Sequence, residues 1–310
     1  MKDYLIRKIR SKKKDKYIYE YYDKDKHKIS SKKALSLIPK IYIAPAYDNV
    51  KISLNPKSKV LAIGEDLRGR KQYIYHQTII KKHSNQKFRK LITLGKIYPK
   101  IIRKINHDSK QNDDIKLKHI ATVIRIIIDC NFRVGNKIYE NENKSYGVTT
   151  LKKKHLTLNK GNIVIEFNGK KNVTNKCKLT HKQTIRNLKE FQKSKSSQSK
   201  LFSYQTDTGK REINSNDINQ YLQDFGDYTS KNIRTWRANM ILIKTLLKHI
   251  SLKDSILKVS NMLHNTTSVC KQNYLDPKLI QFYESKSEDF IQYFKNNISN
   301  KYIAFLKKSY

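Results

Sequence analysis

Cysteine is scarce: Cys130, Cys177 and Cys270 are the only three among 310 residues, far apart and with no C-x-x-C pair. That spacing supports neither a disulfide framework nor a zinc site, so a reducing compartment and no metal are expected. Long apolar runs are missing too. None follows the charged opening MKDYLIRKIRSKKKDK and none approaches a bilayer's thickness, so neither a secretory leader nor membrane insertion is expected. Internal repeats and low-complexity tracts do not stand out, although QKSKSSQSK (192–200) reads as an exposed loop. Acid is the last shortage. The chain carries 26 Asp and Glu against 66 Lys and Arg, a formal net charge of +40 with a pI of about 10.0. Such an excess implies a polyanionic partner: DNA, RNA or an anionic membrane. Lysine outnumbers arginine, and Asn, Ile and Tyr are plentiful, the imprint of an AT-rich genome. Part of the charge therefore reflects mutational bias, and the Lys12 to Lys14 cluster is weak as a nuclear signal.

What is present divides the chain. The first eighty or so residues hold short β-branched and aromatic runs (KYIYEYY, KIYIAPAY, KVLAIGED, KQYIYHQTII) separated by Asn, Asp, Pro and Gly, which predicts a small antiparallel sheet. After KKHSNQK the pattern becomes helical, with FRKLITLGKIYPKIIRKI and then IKLKHIATVIRIIIDCNF, apolar enough for a central buried helix. We place the boundary near Lys81 to Gln86, giving domains at 1–82 and 83–310. One β interruption follows: HLTLNKGNIVIEFNGKKNVTNKCKLT predicts three strands turning at Asn159 to Asn162 and at Asn168 and Gly169, with Lys170 at a hairpin tip. Helices resume with THKQTIRNLKEFQK, SNDINQYLQDF (capped by Ser215 or Asn216), IRTWRANMILIKTLLKHI, LKDSILKVSNML and DPKLIQFYESKSEDFIQYFKNNI. The fold class is α+β.

The stretch GEDLRGRKQYIYHQ (64–77) crowds cations and tyrosines around Gly69. As a strand it puts Lys71, Tyr73 and Tyr75 on one face and Gln72 and Ile74 on the other. Arg68, Arg70 and Lys71 suit phosphates, Gln72 a base edge, and the tyrosines sugar or phosphate oxygen. An edge strand blunted by charge would look similar.

Four separated strings carry the chemistry: NFRVGNKIYENENKSYGVTTL (131–151), IEFNGKKNV (165–173), KNIRTWRANM (231–240) and LHNTTSVCKQNYLDP (263–277). Together, and in this order, they resemble type IB DNA topoisomerases of the small poxvirus and bacterial kind. The 64–77 stretch resembles that family's RGR-x-QY-x-Y strand, which touches the DNA major groove. The resemblance runs from about Gly64 to Pro277. It implies a small amino-terminal β domain and a mostly helical catalytic domain, of the kind shared with tyrosine recombinases, that includes a small β-hairpin sheet.

The resemblance implies the roles, and the chemistry agrees. A tyrosine phenolate is both nucleophile and fair leaving group, so Tyr274 can conserve a phosphodiester's energy in a covalent 3'-phosphotyrosyl link. Arg133, Arg234 and a donor upstream of Tyr274 match the family's groups that stabilise added charge on the nonbridging oxygens. Lys170 matches the lysine that protonates the departing 5'-oxygen. Each has a plainer alternative: packing for Tyr274, a helix carboxyl cap for Arg133, a surface charge for Arg234 and a solvated turn for Lys170. Lys171 could donate instead, but the match to F-x-GK selects Lys170. Most relatives have histidine as the upstream donor; aligning back from Tyr274 through TTSVC puts Asn265 there, and His264 where glycine is common. An amide donates equally well without titrating.

The resemblance thus implies an enzyme that needs neither metal, ATP nor another cofactor and, as a monomer, clamps duplex DNA and relaxes supercoils by strand swivelling. Tyrosine recombinases or integrases share the toolkit, but they usually carry histidine three residues before the second arginine, where Lys231 stands here. A non-enzymatic architectural DNA binder would explain the charge but not the ordered motifs. An intracellular location is expected: a viral factory or virion for a large DNA virus, otherwise a bacterial cytoplasm.

Overall fold

The computed structural model describes residues 3–13, 16–193 and 196–310, so Lys14 of the lysine cluster and Ser194 and Lys195 of the serine-rich loop lie outside the described residues. Contacts divide the chain into two compact units, Met1–Lys87 and Phe88–Tyr310.

The first unit is built on six strands, β1 (Tyr4–Lys13), β2 (Lys16–Tyr22), β3 (Lys28–Ile29), β4 (Asp48–Ser53), β5 (Val60–Glu65) and β6 (Lys71–Tyr75), in one antiparallel sheet ordered β3-β2-β1-β4-β5-β6. Alternation sends Leu5, Tyr21, Val50, Ile52 and Ala62 to a buried face, the first two against Ala34 of the short helix α1 (Ser31–Leu37). KIYIAPAY, read above as strand, is irregular instead. The buried Arg7 guanidinium donates to the Ala44 and Tyr47 carbonyls, so a side chain takes the place of a ladder partner, while Ile41, Ile43 and Tyr47 close the core.

The strand predicted over KQYIYHQTII also ends early, at Tyr75. The Thr78 amide donates to His76 Nδ1 (3.2 Å), and helix α2 (Gln77–Asp108) starts there and continues through KKHSNQK to supply residues to both units.

In the second unit, α3 (Ile115–Cys130) is buried on nearly every side, as its composition predicted. After α4 (Lys137–Asn143) come the three predicted strands β7 (Leu156–Asn159), β8 (Asn162–Asn168) and β9 (Thr174–Leu179), an antiparallel sheet with β8 central. Then follow α5 (Lys182–Phe191), an unpredicted hairpin of β10 (Ser203–Thr206) and β11 (Gly209–Glu212), α6 (Ser215–Gln223), α7 (Ser230–Leu246), α8 (Leu252–Met262) and α9 (Thr267–Asn273). Asn214, rather than Ser215 or Asn216, caps α6, exchanging hydrogen bonds with Asp217. The last predicted helix is two, α10 (Pro277–Ser285) and α11 (Ser287–Phe294), broken where Lys286 leaves helical geometry, and α12 (Ile298–Ser309) follows. α3 and α7 contribute to a single large core.

One expectation is overturned: Cys130 and Cys177 form a disulfide. They are 47 residues apart, which no spacing rule flags, but the end of α3 and strand β9 meet with the two Cα atoms 5.6 Å apart, within bridging distance. Cys270 is free and buried.

Candidate active site

The site begins where α3 ends. Asn131 takes a left-handed conformation (φ 53°) that turns the chain, Phe132 is buried edge-on against Phe167, and Arg133 emerges next. Two motif segments are then zipped together, Val148 N donating to Arg133 O (3.0 Å) and Thr149 N to Val134 O (2.7 Å). A Cβ on Gly147 would lie 2.4 Å from the Gly135 Cα, so this crossing admits no side chain there.

Arg234, on α7 and only 3% exposed, gathers the other segments. Its Nε donates to Asn131 O (2.9 Å), Nη2 to Leu263 O (2.9 Å) and Nη1 to the Tyr274 hydroxyl (2.8 Å). Burial lowers its pKa to about 10, with Tyr274 opposing the shift, so it stays cationic at neutral pH. Tyr274 itself is buried at the end of α9. Asn239, five residues beyond Arg234 on α7, holds the Tyr274 backbone from both sides: its Nδ2 donates to Tyr274 O and its Oδ1 accepts from Asp276 N, both at 2.9 Å. Sequence reading missed Asn239, although an amide inside the apolar run WRANMILI is a signal of a buried polar role. Asp276 caps α10 and accepts from the Tyr310 hydroxyl (2.6 Å), with burial raising its pKa.

The ambiguous pair separates cleanly. His264 has φ +54°, the conformation glycine favours, and its ring packs on Phe132 with centroids 5.0 Å apart. Burial, partly offset by a hydrogen bond to the Cys130 backbone, pushes its pKa down to about 4 and leaves it neutral. Asn265 instead faces Arg133, whose guanidinium donates to its Oδ1. The Asn265 Nδ2 is buried with no partner among the described residues. Arg133, Arg234, Asn265 and Tyr274 are thus brought together. Lys170 stands apart on the exposed tip between β8 and β9, its ammonium 6.0 Å from the Tyr139 ring centroid; the next residue, Lys171, is left-handed (φ 62°).

The six residues proposed from the 64–77 stretch lie in the first unit. Asp66 organises the turn before β6, accepting from the Arg68 and Arg70 amides, the Arg70 side chain and Gln72 Nε2. Its pKa falls to about 2, chiefly through Arg70. Lys71, Tyr73 and Tyr75 line the exposed sheet face, with the two rings stacked at 6.1 Å, and Gln72 points to the other face. β6 is an edge strand, so both faces can meet one ligand that the edge enters.

Two guanidinium groups and an orphan amide around a phenol suit a phosphodiester. Arg234 donates to the phenol oxygen, and Arg133 and Asn265 carry N–H donors of the kind that bind phosphate oxygens.

Known proteins point the same way. Residues 76–301 match the family described as eukaryotic DNA topoisomerase I, catalytic core, and residues 18–66 the bacterial DNA topoisomerase IB, N-terminal domain. DNA topoisomerase 1B of Acanthamoeba polyphaga mimivirus is 30% identical over 97% of this chain and 94% of its own. DNA topoisomerase 1B of vaccinia virus (strain Copenhagen) is 22% identical over 74% of each chain. Among solved structures, the XerH site-specific recombinase bound to a palindromic difH substrate aligns with a TM-score of 0.41 and 16% identity, over 72% of this chain and 59% of the recombinase.

Proposed function

The chain belongs to the type IB DNA topoisomerases, DNA-binding isomerases, and on that premise we propose that Tyr274 is the nucleophile that opens one strand of duplex DNA. Its phenolic oxygen bonds to phosphorus, the bond to the 5'-oxygen breaks, and a 3'-phosphotyrosyl link holds the strand end. Arg133, Arg234 and Asn265 carry the charge of the pentacoordinate phosphorane. Lys170 delivers a proton to the departing 5'-oxygen; as a side chain at an exposed hairpin tip it is free to reach a scissile phosphate once DNA is bound. The free 5'-hydroxyl end swivels and then attacks the link, resealing the strand. Phosphodiester energy is kept throughout, so ATP has no role, and the cationic side chains take the place of a metal.

The observation that carries this reading is the Arg234 to Tyr274 hydrogen bond beside the partnerless Asn265 amide. Arg68, Arg70, Lys71, Gln72, Tyr73 and Tyr75 would enter the major groove edge-on, so that a monomer clamps the duplex. Domains at 1–82 and 83–310 remain our division of labour between clamp and chemistry. No helix among the described residues is long and apolar enough to cross a membrane. With relatives from large DNA viruses, we place the work in a viral factory or virion. The test is supercoiled plasmid in EDTA without ATP: relaxation by the wild type and none by Tyr274→Phe is expected. An inactive wild type, or a covalent adduct formed by Tyr274→Phe, overturns the assignment.

A further inference from the structure

Cys130 and Cys177 take no part in the chemistry above, yet their bond joins its two halves. Cys130 closes α3 and immediately precedes Asn131, whose carbonyl holds Arg234, and then Arg133. Cys177 lies on β9 opposite Ile165 of β8, in the ladder that ends at Asn168 and Thr174 and turns through Lys170. The two sides are unequally secured. The α3 end is held by Arg234, by buried Phe132 and by the His264 ring. The hairpin is less tied. β9 is an edge strand paired to β8 alone, and the turn is closed mainly on itself, Gly169 N donating to Val173 O (2.8 Å), Asn172 N to Gly169 O (3.0 Å) and Asn175 Nδ2 to Val173 O (2.7 Å), with Tyr146 N donating to Asn168 O (2.9 Å) from outside it. A covalent bond there constrains the hairpin more than it constrains the arginines.

We infer that the Cys130–Cys177 disulfide is a positioning bond for Lys170, which makes protonation of the leaving 5'-oxygen, and not phosphate binding, sensitive to thiol reductants. The inference rests on reading Lys170 as the proton donor. Opening the bond takes two electrons and two protons from a dithiol, giving two cysteine thiols and the cyclic disulfide of the reductant. Cys177 is partly exposed and offers access, whereas buried Cys270 has its thiol pushed up to about 12 by desolvation and exchanges poorly.

The experiment compares four samples: oxidised wild type, dithiothreitol-reduced wild type, Cys177→Ser and Lys170→Ala. Each cleaves an ordinary duplex and one with sulfur at the bridging 5' position, where the thiolate leaves without a proton. Reduction and Cys177→Ser should each slow the ordinary substrate about tenfold, within the scale of a small misplacement, and leave the sulfur substrate nearly unaffected. Cys177→Ser should ignore reductant. Lys170→Ala without rescue by sulfur would remove the proton-donor reading itself. Rescue of Lys170→Ala, with reduction slowing both substrates equally or neither, would overturn the positioning role alone. Thiol titration of the unreduced protein sets the third check: three free thiols would mean that no such bond exists.

Discussion

Asn265 and His264 show how one step along the backbone decides a side chain's task. The left-handed turn at His264 sends its ring into the packing around Phe132 and leaves Asn265 against Arg133. Asn265→Ala should therefore slow cleavage and religation about a hundredfold or more, the scale for losing one oxyanion-type donor. His264→Ala should do far less, and Asn265→His should keep much of the activity because an imidazole N–H can donate from nearly the same place. Single-turnover cleavage rates decide, and a crippled His264→Ala beside an active Asn265→Ala would shift the assignment by one residue. The same histidine bears on acid stability. His264 and His155 both have folded pKa values near 4, lowered chiefly by burial, against an ordinary value of about 6.5. The folded state thus resists protons that the unfolded chain accepts, so the stabilisation is complete above 6.5 and is lost as pH falls through 4. The thermal midpoint should decline across that window, and less steeply in His264→Asn.

Elements were legible where one pattern governed them and obscure where a partner distant in the chain did. The buried α3 and the β7–β9 hairpins follow from apolar runs and Asn-Gly turns, and both were predicted. KIYIAPAY failed because Arg7, some forty residues earlier, satisfies its carbonyls. β10 and β11 are four residues each and largely polar, too short for alternation to stand out. The disulfide depended on α3 meeting β9. In the chain-entropy account its 47-residue closure contributes about 4 kcal/mol. Reduction should lower the calorimetric midpoint by roughly 10 °C at this size, or less where the reduced chain keeps structure. On β6, Tyr73→Ala should slow cleavage modestly or change the sites chosen, read by mapping cleavage on a long duplex, without abolishing the adduct. An alanine variant as inactive as Tyr274→Phe would erase the distinction between gripping and cutting.

For the molecule as a whole, charge is the dominant property. With +40 spread over 310 residues, duplex affinity should fall about a thousandfold or more between 50 and 200 mM salt, as expected for six to ten phosphate contacts, measured by anisotropy on a Tyr274→Phe protein. A shallow salt response would assign most of the lysines to mutational bias. The family was readable because its motifs are local strings, and the same strings name the four side chains that the fold brings together, Arg133, Arg234, Asn265 and Tyr274. Asn239 was not, since its meaning comes from two backbone groups some 35 residues further on. Arg234 extends the same point to folding. Its three partners, Asn131, Leu263 and Tyr274, lie 103, 29 and 40 residues away along the chain, so the reactive centre has a high contact order and cannot form from any one segment. A nascent chain released before residue 274 would hold Arg133, Lys170, Arg234 and Asn265 and still lack the hydroxyl that we propose as the nucleophile. Under the proposed chemistry, incomplete products would then be unable to nick DNA, without a separate inhibitor.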